Sequence, residues 1–331
     1  MNEDASEQYD RQIRLWGLDA QQRMSGSRVL ISGLNGVTAE ACKNLILAGI
    51  NATLQDSELV KPEDVGANFF LTDEDVGKNR AEVCLPRAKE LNRLSSVENE
   101  IRPLSELKDD FFLPFRAVVM SGGFPKDYRR MAALCRLKGI AFYMVETFGY
   151  DGFLFCDLGP RHTCRREVGQ GLSDPIDMEF PSLEEATAAK WGSLKDRWGH
   201  VPQAYITIQI IFQFMDKFGR RPTPTDIEPF TSLAEAALEL NEMPQDFLGR
   251  STKAGAVGEG AGGPRSCSTL KAMCSSAGVE LSPVCAILGG ILGQEVIKAI
   301  SAKGVPACNS LIFTGLTNEA KVFHSPSLQK K

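Results

Sequence analysis

The chain carries only three histidines among 331 residues, and none of its nine cysteines forms a Cys-x-x-Cys pair. A zinc site is therefore not expected: His162 and Cys164 lie close together, but no second pair of ligands has metal-like spacing. An odd number of scattered cysteines argues against a disulfide framework and suits reduced thiols. There is no basic stripe, and 37 Lys and Arg against 42 Asp and Glu give a net charge of −5, which argues against a nucleic-acid binder. Long apolar runs are missing too, since 204–215 and 284–300 contain polar residues and stop short of membrane length. The first six residues are polar and acidic, unlike a signal or transit peptide, so a soluble intracellular protein without a membrane partner is expected. What remains is an ordinary globular composition, 43% hydrophobic and 24% charged, at a length that calls for one large α/β domain with an insert, or two domains.

Hydrophobic periodicity predicts a helix over 8–23, a buried strand over 29–32, a helix over 38–48 closed by Gly49, and a strand over 51–55 ending at Asp56. A helix over 77–91, strands at 97–101, 117–120 and 141–146, and a helix over 127–138 follow. This alternation is the signature of a doubly wound, mostly parallel sheet. Beyond Gly159 the pattern loosens. Residues 161–198 lack clean periodicity, 201–218 and 232–240 read as helices, and 250–264 as a mobile Gly/Ala-rich loop. A helix rich in small residues at 283–300 and strands at 310–314 and 321–324 complete the chain. The economical reading is a Rossmann-like nucleotide-fold domain, 1–159 plus 280–324, interrupted by a helical insert, 160–279, and followed by a tail, 325–331.

The loop Gly33-Leu34-Asn35-Gly36-Val37-Thr38 stands where a strand turns into a helix, the place where backbone N–H groups can cradle phosphate. A full G-x-G-x-x-G would need glycine at positions 35 and 38 as well; Asn35 restricts close approach of a pyrophosphate, and a purely structural tight turn is the competing reading. Asp56, about 20 residues on, stands where an acid would bind a ribose hydroxyl. After 117–120 the chain reads Ser121-Gly122-Gly123, with no acid to hold Mg²⁺; Asp127 is placed as an early-helix acid favoured by the helix dipole. Near the N-terminus, Arg11 and Arg14 lie three residues apart on one predicted helix face, beside Ile13 and Trp16.

Several of these stretches, Tyr9-Asp10-Arg11-Gln12-Ile13-Arg14, 29–36, 44–49, Val76-Gly77-Lys78-Asn79-Arg80-Ala81 and 283–295, resemble the ubiquitin-like-protein activating enzymes. The last is most similar to the small-subunit type of the SUMO-activating enzymes. The resemblance spans the chain except for the insert. It implies an adenylation fold of the ThiF/MoeB type, and a heterodimer whose large catalytic subunit holds ATP and Mg²⁺, adenylates SUMO and carries it on a cysteine. In this chain Asp64 and Ala67 stand where active members carry Asn and Arg, Arg80 where they carry Lys, and Ser121–Gly123 where they carry the Mg²⁺ acid. The resemblance thus implies a copy that does not adenylate, with Gly33, Gly36 and Asp56 as a degenerate nucleotide loop and no metal of its own. It implies one surviving functional residue, Arg11, reaching ATP in the partner subunit, where a guanidinium stabilises developing negative charge. Arg14 lacks that match and reads as structural or interfacial. Cys164, Cys267 and Cys274 read as incidental thiols rather than a thioester nucleophile. Nuclear location, with or without a cytoplasmic pool, follows from the resemblance alone. A self-sufficient homodimeric adenylyltransferase, a nicotinamide-dependent dehydrogenase, a scaffolding pseudoenzyme and a subunit for NEDD8 remain as alternatives.

Overall fold

The computed structural model describes residues 7–168, 171–194, 203–249 and 265–324. The expected loop 250–264 and tail 325–331 lie outside them. One eight-stranded sheet organises the chain. Its first half alternates as the sequence predicts: β1 Arg28–Ser32, α3 Gly36–Leu47, β2 Asn51–Gln55, α5 Arg80–Glu90, β3 Val97–Glu100, β4 Ala117–Met120, α6 Pro125–Lys138 and β5 Ala141–Phe148, preceded by α1 Asp10–Trp16 and α2 Leu18–Ser25, with a one-turn α4 at Pro62–Val65. The rest contributes β6 Asp151–Asp157, a small ladder between β7 His162–Cys164 and β10 Ile176–Met178, two-residue strands β8 Glu167–Val168 and β9 Gly171–Leu172, then α7 Leu183–Ala188, α8 Gln203–Phe218, α9 Ile227–Leu240, α10 Arg265–Ser276, α11 Ser282–Ser301, β11 Ser310–Thr314 and β12 Glu319–Phe323.

The strand order is β12-β11-β6-β5-β4-β1-β2-β3. Only the block from β3 to β5 is parallel, whereas β6, β11 and β12 add antiparallel pairs. The sheet is therefore mixed, more so than the alternation predicted. The reason is local: Gly149 turns with φ +64, and β6, which the sequence pattern missed, folds straight back on β5 as a hairpin. Similarly, the single helix expected over 8–23 breaks into α1 and α2 at Gly17, which sits at φ +81.

Both faces of the sheet are covered, which is why the central strands read as apolar runs. On one face Val29, Ile31, Leu54, Val119 and Val145 pack with α3, α5 and α11. On the other Leu30, Val118, Met144, Phe153 and Phe155 pack with α6, α8 and α9. The segment after residue 159 thus supplies a helical layer of the sheet's own core, with ten buried residues on α8 alone. Helix α11 is 20 residues long and apolar enough by length and composition to cross a membrane, longer than its sequence pattern predicts, but 67% of its most apolar 18-residue window is buried. It lies against α3, where a Cβ on Gly289 would fall 2.6 Å from the Val37 carbonyl oxygen, so glycine permits the close approach.

Candidate functional site

The carboxyl ends of parallel strands β1, β4 and β5 bring together the loops that a doubly wound sheet uses for ligands. Gly33 leaves β1 with φ +79, and a Cβ there would fall 2.0 Å from the Ser121 carbonyl oxygen, so only glycine fits. Asn35 caps α3, accepting from the Thr38 N–H at 3.3 Å, and its amide donates to Ser121 Oγ at 2.7 Å. The side chain that departs from the glycine fingerprint therefore stitches this loop to the Ser121–Gly123 turn. The Gly36 N–H at the start of α3, where an anion would be attracted, donates instead to Glu280 Oε2 at 3.0 Å. Burial pushes the Glu280 carboxyl up, with the Gly36 N–H opposing it.

Asp56 lies where the spacing placed it, 3% exposed at the end of β2. Both of its oxygens are engaged. Leu34 N–H donates to Oδ2 at 2.7 Å, Arg80 Nε to the same oxygen at 2.8 Å, and Glu58 N–H to Oδ1 at 2.9 Å. Arg80 also reaches Asp64 at 3.5 Å. Burial weakens the charged form of Arg80, but Asp56 and Asp64 outweigh it and hold its pKa above the ordinary value. Three positions singled out separately in the sequence, 56, 64 and 80, are one closed ion-pair group.

Three further residues complete the site that spacing did not reveal. Glu146, 1% exposed on β5, accepts from Gly122 N–H at 2.7 Å and from the Tyr128 hydroxyl, and Arg221 Nη2 donates to its other oxygen at 2.5 Å. Arg221 also donates to the Ala277 carbonyl at 2.8 Å, and Thr147 donates to Glu280 at 3.4 Å. Arg221 and Glu280 thus tie the stretch after α8 and the start of α11 to the strand ends. An acid inside an apolar strand was the readable signal, because a buried carboxylate needs a partner. Asp127 does sit in the first turn of α6, accepting from Phe124 N–H at 3.3 Å.

Arg11 lies elsewhere. Tyr9, 3% exposed, anchors the N-terminal segment by accepting from Asn92 Nδ2 at 2.8 Å, and Gln12 donates to the Leu47 carbonyl at 3.1 Å, the far end of α3 from Gly36. That is about 17 Å along twelve helical residues. No residue of α1 is buried, so Ile13 and Trp16 are only half covered. Arg14 pairs with Asp10 at 2.9 Å. Arg11 is exposed and has no hydrogen-bond or ion-pair partner among the described residues. Cys164 and Cys274 are buried, the first with its thiol 3.7 Å from Met178 Sδ; the Cys267 side chain lies outside the described residues. His162 and Phe180 form a T-shaped ring pair with centroids 6.2 Å apart.

The model of the ThiF family matches residues 9–331. SUMO-activating enzyme subunit 1 of Danio rerio is 33% identical over 97% of this chain and 95% of the relative. Subunit 1 of Xenopus laevis is 34% identical over 97% and 96%, and that of Homo sapiens 33% over 96% and 94%. Among solved structures, that of PaaA superposes with a TM-score of 0.55 at 15% identity over 97% of this chain and 82% of that one, a likeness of fold. With motifs, sheet and relatives in agreement from end to end, the chain belongs to the ThiF family and, within it, to the family of SUMO-activating enzyme subunit 1.

Proposed function

We propose that this chain acts in SUMO activation as the non-catalytic subunit of a heterodimer, completing the adenylation site of a large partner subunit with Arg11. The observation that carries the reading is the closure of its own strand-end site. Asp56 is held by Arg80, and the α3 N-terminus by Glu280, so the positions that would take a ribose hydroxyl and a phosphate are filled by the chain's own charges. That donor set does not fit a nucleoside triphosphate. ATP, Mg²⁺, the acyl-adenylate and the thioester belong to the large subunit in this reading, as does contact with SUMO. Location in the nucleus goes with it.

Arg11 suits the role physically. A guanidinium that has no partner among the described residues keeps its donors available and meets developing phosphate charge without a proton transfer. The test is SUMO-dependent ATP–pyrophosphate exchange with this chain alone, the large subunit alone, and both. Exchange is expected only in the mixture, reduced at least about a hundredfold by Arg11→Ala, by analogy with arginines supplied in trans in phosphoryl transfer. Robust exchange by this chain alone would overturn the proposal, and a mixture indifferent to Arg11→Ala would leave a scaffold.

A further inference from the structure

At the opposite end of the sheet from the strand-end site, a cleft of about 400 Å³ opens between α2, the amino ends of β4 and β5, the start of β7 and the end of α11. Its polar lining is Arg23, Arg116, Arg161, His162 and Thr163, and no Asp or Glu among the described residues lines it. Arg161 is paired with Asp177 at 2.9 Å, which also accepts from the Thr163 hydroxyl at 2.6 Å, so that pair is neutral and fixes the wall. Arg23 donates to the Ser301 carbonyl at 2.5 Å, and no carboxylate among the described residues compensates its charge. Arg116 is exposed and has no ion pair or side-chain hydrogen bond among the described residues. Just beyond the wall, Arg165, Arg166 and Lys303 add cations, with the Arg165 N–H donating to the Ala302 carbonyl at 3.1 Å.

The end of α11 would by itself repel an anion, because a helix C-terminus carries partial negative charge. Here Arg23 and the Arg165 N–H take up its last carbonyls, which blunts that term. His162 Nε2 is buried without a hydrogen-bond partner, an arrangement that leaves a polar ring atom unsatisfied in a cationic wall. Burial, and after it the charge of Arg116, hold the His162 pKa below its ordinary value.

We propose that this cleft binds a small phosphate-bearing polyanion, with Arg116 as its principal contact. Arginine forks match phosphate oxygens bidentately, and a cleft of this volume exceeds one phosphate and takes a diphosphate or a larger phosphorylated metabolite. The proposal does not depend on the role assigned to Arg11, because it concerns other residues.

The test uses the full-length chain and inorganic pyrophosphate. The chain holds three histidines, so the imidazole proton signals in an NMR titration are few, and His162→Gln assigns the one of interest. The groups around that ring are Arg23, Arg116, Arg161 and Asp177. Pyrophosphate is expected to shift the His162 signal saturably and to raise its pKa, since a bound anion offsets Arg116. Arg116→Gln, an exposed substitution whose fold is checked by circular dichroism, is expected to weaken binding at least about tenfold, the scale of one charged hydrogen bond. Arg161→Gln is expected to weaken it less, its fork being spent on Asp177. A shift matched by sodium chloride at equal ionic strength would mean screening only and would overturn the proposal. So would equal binding of citrate, which would mark a general polyanion patch, or a titration indifferent to Arg116→Gln.

Discussion

At Glu146 a carboxylate 1% exposed to solvent is met by one guanidinium, one hydroxyl and one backbone N–H. Removing one member of such a buried pair leaves an uncompensated charge and typically costs about 3–5 kcal/mol. Arg221→Ala is therefore expected to lower the urea unfolding free energy by about that much; a loss under about 1 kcal/mol would mean water replaces the guanidinium freely. A second carboxylate sets a pH dependence. Hydrogen bonding from Arg87, against the cost of burial and helped by Thr72, lowers the Asp75 pKa from 3.8 to about 2. The folded value lies below the unfolded one, so this contribution is complete above pH 3.8 and is lost as pH falls through about 2. Asp75→Asn is expected to be less stable than the parent at neutral pH, with the two unfolding curves converging in strong acid. The spacing of the sequence located Asp56 but not what binds it. Local pattern carries that far and no further: Glu280 reaches Gly36 across 244 residues, and Arg221 reaches Glu146 across 75.

Among the elements, the pairing of α3 with α11 shows how two adjacent glycines differ. At Gly289 a Cβ would meet the Glu40 Cβ and the Val37 carbonyl, both at 2.6 Å, whereas at Gly290 it would meet nothing within 4 Å. Gly289→Ala is expected to cost about 1–3 kcal/mol by overpacking. Gly290→Ala is expected to leave stability unchanged or raise it by up to about 1 kcal/mol, through helix propensity. Thermal unfolding of the two variants side by side distinguishes them, and equal effects would contradict the packing. A helix at 283–300 was legible from sequence, and strands β1, β2, β4 and β11 emerged within one residue of their predicted ends. β6 did not, although Phe153, Phe155 and their neighbours are buried on both faces just as the residues of β4 are. The short ladder of β7 with β10 was lost because its strands are three residues each and largely polar.

Across the whole molecule, the thiols of the described residues lie inside. Eight cysteines are buried, and burial raises the pKa values of Cys84, Cys135 and Cys285 to about 12 and of Cys274 and Cys308 to about 11. Thiolate, the reactive form, is correspondingly scarce at neutral pH. A colorimetric thiol titration of the native protein at pH 8 is expected to detect no more than one of the nine cysteines promptly, and all nine in denaturant. Several fast-reacting thiols would contradict the burial.

The contact between α3 and α11 also orders events during synthesis. Val37, Ala41 and Leu45 are made early, but the helix that covers them leaves the ribosome some 240 residues later, at 5–20 residues per second roughly 12–50 s. β11, which completes the pairing of β6, arrives later still. The nascent chain therefore holds an uncovered apolar helix and an unpaired strand edge for most of its translation, so its demand for chaperones falls on the growing chain rather than on the finished one.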